Sequence, residues 1–248
     1  YIRGDYDDAY NILLPLADNG NTEAQKMLAI MYDYGHGVTR DPEQALAWYI
    51  KAASEGDPEV QYQIGAKYFS GQGTGQNYLD AGKWWEQAAD NGQVDAQFNL
   101  GLMYFRGLGL ARDDTEAARL FTLAAGQGHA QAQYSLAVMY AFGRGVDRDY
   151  QTALQWFEES ARQGVAQAQF NLGVLYENGH GVTRDIEQAR NWYEQAAAQG
   201  LAEAADKLSA LETEPAPAAP SRNPAPEYRM AEISPQGIKR EDWVLSQK

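Results

Sequence analysis

A period of 36 residues runs through this chain, and it limits the possible folds more tightly than any other feature of the sequence. The heptad Gly-His-Gly-Val-Thr-Arg-Asp occupies residues 35–41 and returns, letter for letter, at residues 179–185, which is 144 residues or four periods later. Between the two copies the glycine pair recurs as Gly71/Gly73, Gly107/Gly109 and Gly143/Gly145. A further glycine recurs at positions 20, 56, 92, 128, 164 and 200. Ala-Gln recurs at 24, 96, 132 and 168, with Val60-Gln61 as the variant, and the register holds from about residue 5 to residue 211. Self-similarity of this length marks a solenoid, in which each unit buries its apolar face only against its neighbours.

Each unit divides into two helices. In the middle unit Ala96, Leu100, Gly101 and Tyr104 lie at the spacing of one buried helical stripe. The small residue beside the central leucine lets a neighbouring helix approach. Gly107 is placed to end that helix, where the backbone must turn to positive φ. After the Gly-x-Gly loop an aspartate or asparagine caps the second helix, at Asp41, Asn77, Asp113, Asp149 and Asp185. Asp41 is followed by Pro42 and Gln44, a first-position proline and a capping-box glutamine. The second helix is expected to bury Ala45, Trp48, Tyr49, Ala52 and Ala53, and Trp48, Trp84, Trp156 and Trp192 are expected to anchor one repeat on the next. It stops at Gly56, and Asp57-Pro58 caps the following first helix in the same way.

The repeated heptad is therefore a turn and a cap. His36 and His180 lie four repeats apart, and the same position carries Gln72, Leu108 and Arg144 in the other units, so no chemistry common to the repeats resides there. No Lys-Ser/Thr follows the glycines and no strand precedes them, which excludes a phosphate-binding loop. The loop arginines Arg40, Arg112, Arg148 and Arg184 are expected to bridge to acidic neighbours or loop carbonyls.

The pattern A-Q-x-x-L-G-x-x-Y-x-x-G-x-G-V, then A-x-x-W-[YF] and A-A-x-x-G, resembles the Sel1-like repeat, and Ala168 to Tyr176 with Gly179, Gly181 and Val182 is close to its consensus. The resemblance implies an all-α fold, a right-handed α/α superhelical solenoid related to the tetratricopeptide repeat. It also implies a non-enzymatic scaffold or adaptor with no cofactor and no metal. Residues 1–211 form the solenoid: a half repeat at 5–20, full repeats starting at 24, 60, 96, 132 and 168, and a capping helix at 202–211. In that last helix Ala205, Ser209 and Glu212 replace the Gln, Gly and Tyr of the pattern, the polar face of a terminal cap.

Charge and composition restrict the partners. The net charge is −14, of which residues 212–248 contribute −1, so nucleic acid is excluded for want of a basic face. With no cysteine, disulfides and thiol chemistry are unavailable. No apolar run reaches the roughly 18 residues of a membrane span. The chain opens at Tyr1 with a helix already under way, the mark of a processed or trimmed N-terminus. The three histidines, His36, His129 and His180, fall in different repeats, and no serine lies in a nucleophile elbow.

Analogy with tetratricopeptide repeats puts the first helices on the concave face, with Tyr62, Phe69, Phe98, Phe105, Arg106, Tyr134, Phe142 and Phe170 as the candidate protein-binding residues. Aromatics and arginine are the types enriched at binding hot spots, and such a groove suits an extended peptide or a helix. The ladder Tyr62, Phe98, Tyr134 and Phe170 also fits a second role, packing between adjacent first helices. Phe69, Phe105, Arg106 and Phe142 differ from repeat to repeat, which favours recognition over packing.

Beyond the repeats, residues 212–226 form a Pro/Ala-rich linker and 227–248 a short tail. Arg240 to Gln247 resembles the stretch that leads into SPOR domains, which bind peptidoglycan, although no such domain is present. Trp243, Val244 and Leu245 are candidates for docking back on the groove. The expectation is a periplasmic, envelope-associated adaptor, with peptidoglycan- or polysaccharide-assembly machinery as an alternative partner. A hydrolase of cell-wall precursors is the third reading, and a cytoplasmic location is the alternative to the periplasm.

Overall fold

A computed structural model describes residues 6–213 of the chain, which form twelve α-helices. The half repeat is α1 (Tyr6–Asp18). Five helix pairs follow: α2 (Thr22–Tyr34) with α3 (Pro42–Ala52), α4 (Pro58–Ser70) with α5 (Tyr78–Asp90), α6 (Val94–Arg106) with α7 (Asp114–Gly126), α8 (Ala130–Phe142) with α9 (Tyr150–Arg162), and α10 (Ala166–Asn178) with α11 (Ile186–Ala198). α12 (Ala202–Thr213) closes the array and runs two residues past the capping helix expected from the sequence. The candidate docking residues Trp243, Val244 and Leu245 lie outside the described residues.

The helix ends follow from the capping residues. Asp41, Asn77, Asp113, Asp149 and Asp185 each accept a backbone N–H at the start of their second helix, and Asp57 does the same for α4. At the other end of α10, Gly179 takes φ +72° and its N–H returns to Leu175 O. The second glycine of the loop answers to a different demand. Gly181 has φ +71°, and a Cβ there would stand 2.5 Å from Tyr150 O, at the start of the preceding second helix. The loop residue between the two glycines reaches the same place. His180 stacks on Tyr150 at 4.7 Å and His36 on Tyr6 at 4.6 Å, while Arg144 Nε meets Asp114 Oδ2 at 3.3 Å. The histidines of the repeated heptad are thus rings laid against a tyrosine at the start of the preceding second helix.

The core lies between the two helices of each pair. Its most deeply buried aromatics are Tyr49, Trp85, Phe121, Phe157 and Tyr193, all 4% exposed or less. These follow the tryptophan position by one residue; the tryptophans anchor one repeat on the next as expected, but three of the four are only partly buried. Trp48 is buried, but Trp84, Trp156 and Trp192 are only partly so, and each of the three leans on the core of the preceding repeat. The fully buried ring faces a small residue of its own first helix. A Cβ added to Gly65 would lie 2.4 Å from the Trp85 ring, and one added to Gly173 would lie 2.4 Å from the Tyr193 ring. Each such ring contributes about 1.5–3 kcal/mol by burial, and the absence of a side chain opposite is what makes room for it.

Candidate functional site: the first-helix face

The first helices α2, α4, α6, α8, α10 and α12 are joined to one another by polar bridges. Lys26 Nζ meets Asp57 Oδ2 at 2.8 Å, Gln93 Nε2 donates to Glu59 Oε2 at 3.3 Å, and His129 Nε2 lies 3.4 Å from Asp95 Oδ1. At the other end of the array Lys207 Nζ meets Glu177 Oε2 at 2.9 Å. Burial alone would raise the Asp57 carboxyl, but the Lys26 hydrogen bond and two backbone N–H groups outweigh it and hold it below the usual carboxylate range. The His129 hydrogen bond lowers Asp95 in the same way. His129 also caps α8, since its Nδ1 accepts from Ala132 N at 3.1 Å, and its ring stacks on Phe98 at 4.4 Å.

The aromatic ladder is built into this frame. Each member lies against the buried ring of its own second helix: Tyr62 on Trp85, Phe98 on Phe121, Tyr134 on Phe157 and Phe170 on Tyr193, with centroids 5.5–6.3 Å apart. Phe98 and Tyr134 keep only 9% and 8% of their surface exposed. Where the ladder residue is a tyrosine, an asparagine 37 residues later hydrogen-bonds its hydroxyl, Asn99 for Tyr62 and Asn171 for Tyr134. Burial pushes Tyr62 up to about 12 and raises Tyr134 as well, so both are neutral hydroxyls under ordinary conditions. Phe98 and Phe170 are followed at that distance by Ser135 and Lys207. The alternation of Tyr and Phe therefore tracks the polar residue available on the next first helix.

The positions that vary between repeats are placed differently. Phe69 lies half-buried between Tyr78 and Trp85, with centroids at 4.9 and 5.2 Å. Phe105 is half-buried and carries the Arg144 guanidinium over its ring at 4.1 Å. Arg106 is partly buried, and desolvation lowers its pKa. Phe142, at the end of α8, is 38% exposed. Tyr34, in the register of Arg106 and Phe142, is 55% exposed at the N-terminal end of the array. Tyr34 lines a shallow depression together with Lys26, Ile30, Tyr49, Glu59 and Gln63.

One buried ion pair breaks the repeat pattern. Lys67 occupies the core register that holds Met31, Met103, Met139 and Leu175 in the other repeats, and it is 4% exposed. Its Nζ meets Asp33 Oδ1 of the preceding first helix at 2.5 Å.

A set of buried amides was not anticipated from the sequence. Gln25, Gln97, Gln133 and Gln169 each donate to a backbone carbonyl eight residues back, on the preceding second helix. Gln61, Gln97, Gln133 and Gln169 each accept from Asn91, Gln127, Gln163 and Gln199 at the end of their own second helix. The signal was present in the recurrent Ala-Gln and in an amide residue thirty positions later. Three of the four loop arginines behave as expected: Arg40 and Arg184 Nε donate to Asp33 O and Glu177 O at 2.9 Å, and Arg112 pairs with Asp114, while the Arg148 guanidinium lies over the Tyr150 ring at 5.6 Å.

Among the described residues no cluster of three or more His, Cys, Asp or Glu could hold a metal ion, and no helix is long and apolar enough to cross a membrane.

Helix pairs of fixed length, stacked in one register and joined by buried amides, define an α/α solenoid repeat protein. The chain belongs to the Sel1 repeat family, whose model matches residues 22–57, 58–93, 94–129, 130–165 and 166–201. Among solved structures, the protective antigen c5321 of uropathogenic Escherichia coli is 36% identical with a TM-score of 0.81, over 84% of this chain and 44% of that one. This chain thus spans less than half the length of that protein. A Sel1 repeat protein from Oxalobacter formigenes is 30% identical with a TM-score of 0.73, over 85% of this chain and 84% of that one. No curated protein matches the chain. Sel1 repeats typically bind protein partners, and the scaffold is generally non-catalytic.

Proposed function

We propose that this chain is a non-enzymatic adaptor that holds a protein or peptide segment against its first-helix face. The observation that carries the reading is the division of labour along that face. Tyr62, Phe98, Tyr134 and Phe170 repeat and are engaged in packing. Phe142, Phe105, Arg106 and Phe69 vary between repeats, and Phe142 keeps a large part of its ring in water. Exposed and half-buried aromatics together with arginine on one face are the residue types of a binding hot spot. The acidic net charge of −14 favours a partner with a basic surface.

A bacterial envelope setting, with the periplasm as the compartment, is part of the same proposal. It is supported by the absence of cysteine and by the Arg240 to Gln247 stretch. The E. coli relative, described as a protective antigen, is consistent with such a setting. Association with peptidoglycan-assembly machinery is the second reading and rests on that tail stretch alone.

A paired capture from envelope extract tests the adaptor reading. One bait is the native chain, the other carries Phe142→Ala and Arg106→Ala, with intact helices verified by circular dichroism. A protein retained by the first and lost from the second supports the inner face. Equal capture by both refutes it, and sedimentation of the chain with purified sacculi would favour the second reading.

A further inference from the structure

The aromatic ladder of the first helices lacks one rung. The residue in ladder register is Tyr62, Phe98, Tyr134 or Phe170 in four repeats, but Lys26 in the repeat of α2 and α3. The ring that a rung would cover is present there, since Tyr49 stands in the register of Trp85, Phe121, Phe157 and Tyr193. Lys26 does not take the place of the aromatic, because its Nζ is drawn to Asp57 Oδ2 at 2.8 Å. Beside it lies the shallow depression that Ile30, Tyr34, Tyr49 and Gln63 help to line, with a volume of about 210 Å³. The lining residues belong to α2, α3 and α4, with α1 before them and α5 after, so the depression lies inside the array.

The other repeats show what such a place accepts. In them an aromatic ring lies 5.5–6.3 Å from the buried ring. Where the rung is a tyrosine, the asparagine 37 residues later reaches its hydroxyl, as Asn99 does for Tyr62 and Asn171 for Tyr134. The residue 37 positions after Lys26 is Gln63, again an amide. Its Nε2 donates to Glu59 Oε1 at 2.8 Å, and its Oε1 is the acceptor that a phenol hydroxyl requires. The size is adequate, since a cavity of about 150 Å³ holds benzene. The surroundings are acidic. The Asp57 hydrogen bond, with the charges of Asp57, Glu23 and Glu59, raises Lys26 above the usual lysine value against its desolvation.

We propose that the depression is a socket for a tyrosine side chain of the partner, flanked in the partner's chain by basic residues, and that the bound ring supplies the missing rung. The proposal rests on the adaptor reading for its partner and adds the chemistry of the contact. The ring packs among Ile30, Tyr34 and Tyr49, its hydroxyl donates to Gln63, and the basic neighbours meet Glu23 and Glu59. Tyr34 is 55% exposed and is braced by His36, stacked on it at 5.7 Å, so one wall of the socket is set before anything binds.

The probes are four capped tripeptides, Lys-Tyr-Lys, Lys-Phe-Lys, Lys-Ala-Lys and Glu-Tyr-Glu, titrated into the full chain and followed by backbone amide NMR shifts. Lys-Tyr-Lys is expected to shift amides around Ile30, Tyr34 and Gln63, and to bind about tenfold tighter than Lys-Ala-Lys or Glu-Tyr-Glu. Lys26→Tyr builds the rung into the chain itself and is expected to weaken Lys-Tyr-Lys about tenfold or more, with the fold verified by circular dichroism. Gln63→Leu, on the rim, gives a second reading that does not depend on that variant folding: it should erase the preference for Lys-Tyr-Lys over Lys-Phe-Lys. No saturable shift with Lys-Tyr-Lys overturns the proposal, and so does equal binding of Lys-Ala-Lys. Undiminished affinity in Lys26→Tyr or an unchanged preference in Gln63→Leu overturns it as well. These results are independent of the capture with Phe142→Ala and Arg106→Ala, so the socket can fail while the adaptor reading stands, and the reverse.

Discussion

Replacing Glu55 with glutamine is expected to stabilise this protein. In four repeats the buried glutamine of the first helix accepts from an amide thirty residues later, at 3.1, 2.8, 2.8 and 2.7 Å for Gln61, Gln97, Gln133 and Gln169. The residue thirty positions after Gln25 is Glu55, whose carboxylate accepts hydrogen bonds and does not donate them. Gln25 Oε1 is correspondingly buried without a hydrogen-bond partner. The chain also turns early there, with a single 3₁₀ turn over Ala53–Glu55 after α3 ends at Ala52. A buried acceptor left unmade costs about 1–3 kcal/mol, and a hydrogen bond gained is worth about 1 kcal/mol net. Glu55→Gln should therefore add about 1 kcal/mol, or about 2–4 °C in melting temperature for a chain of this size. The reciprocal change Gln127→Glu, which removes the donor to Gln97, should lower stability by about 1–3 kcal/mol. Because repeat arrays can unfold in parts, the thermal scan is paired with hydrogen exchange, and extra protection should concentrate in α2 and α3. A melting temperature for Glu55→Gln that is unchanged or lower, while Gln127→Glu is destabilising, would refute the reasoning for the first repeat.

Three further outcomes follow from the packing and the charges. Gly173→Ala drives a methyl into the Tyr193 ring and should cost about 1–3 kcal/mol, whereas Gly75→Ala meets nothing within 4 Å and should be near neutral in the same denaturation series. Lys67→Met alone leaves Asp33 at the core edge without its cation and should destabilise, while Lys67→Met with Asp33→Ala should recover native stability or exceed it. The folded-state carboxyls of Asp57, Asp95 and Asp114 lie below the usual value of 3.8, so their stabilisation is complete above about pH 4 and is lost as pH falls through the folded values. Melting temperature between pH 7 and 3 should fall steeply only below about pH 4, and less steeply in Asp95→Asn.

The period, the caps and the turning glycines were legible because each rests on a local rule. An aspartate before a helix and a glycine at positive φ do the same thing in any context. The adjacent aromatics of the second helix were harder. Trp84 and Trp85 differ by one position, and helical periodicity does not say which of two neighbouring rings points inward. Gly65, twenty residues earlier, decides it by leaving the hole that Trp85 fills. The buried glutamines were missed for a related reason. Glutamine reads as a surface residue until the donor thirty residues on is counted with it. The sequence allows the ladder from Tyr62 to Phe170 two roles, because the asparagines that pair with its tyrosines belong to the next repeat.

The central claim is that a protein partner lies on the first-helix face, and site-specific photocrosslinking tests it most directly. A photoreactive amino acid is placed at Phe142 on a first helix in one chain and at Leu123 on a second helix in another, both positions being exposed in the native fold. The account predicts a crosslinked protein from position 142 and none from position 123. Crosslinking from position 123 alone would contradict it and move the binding surface to the second helices.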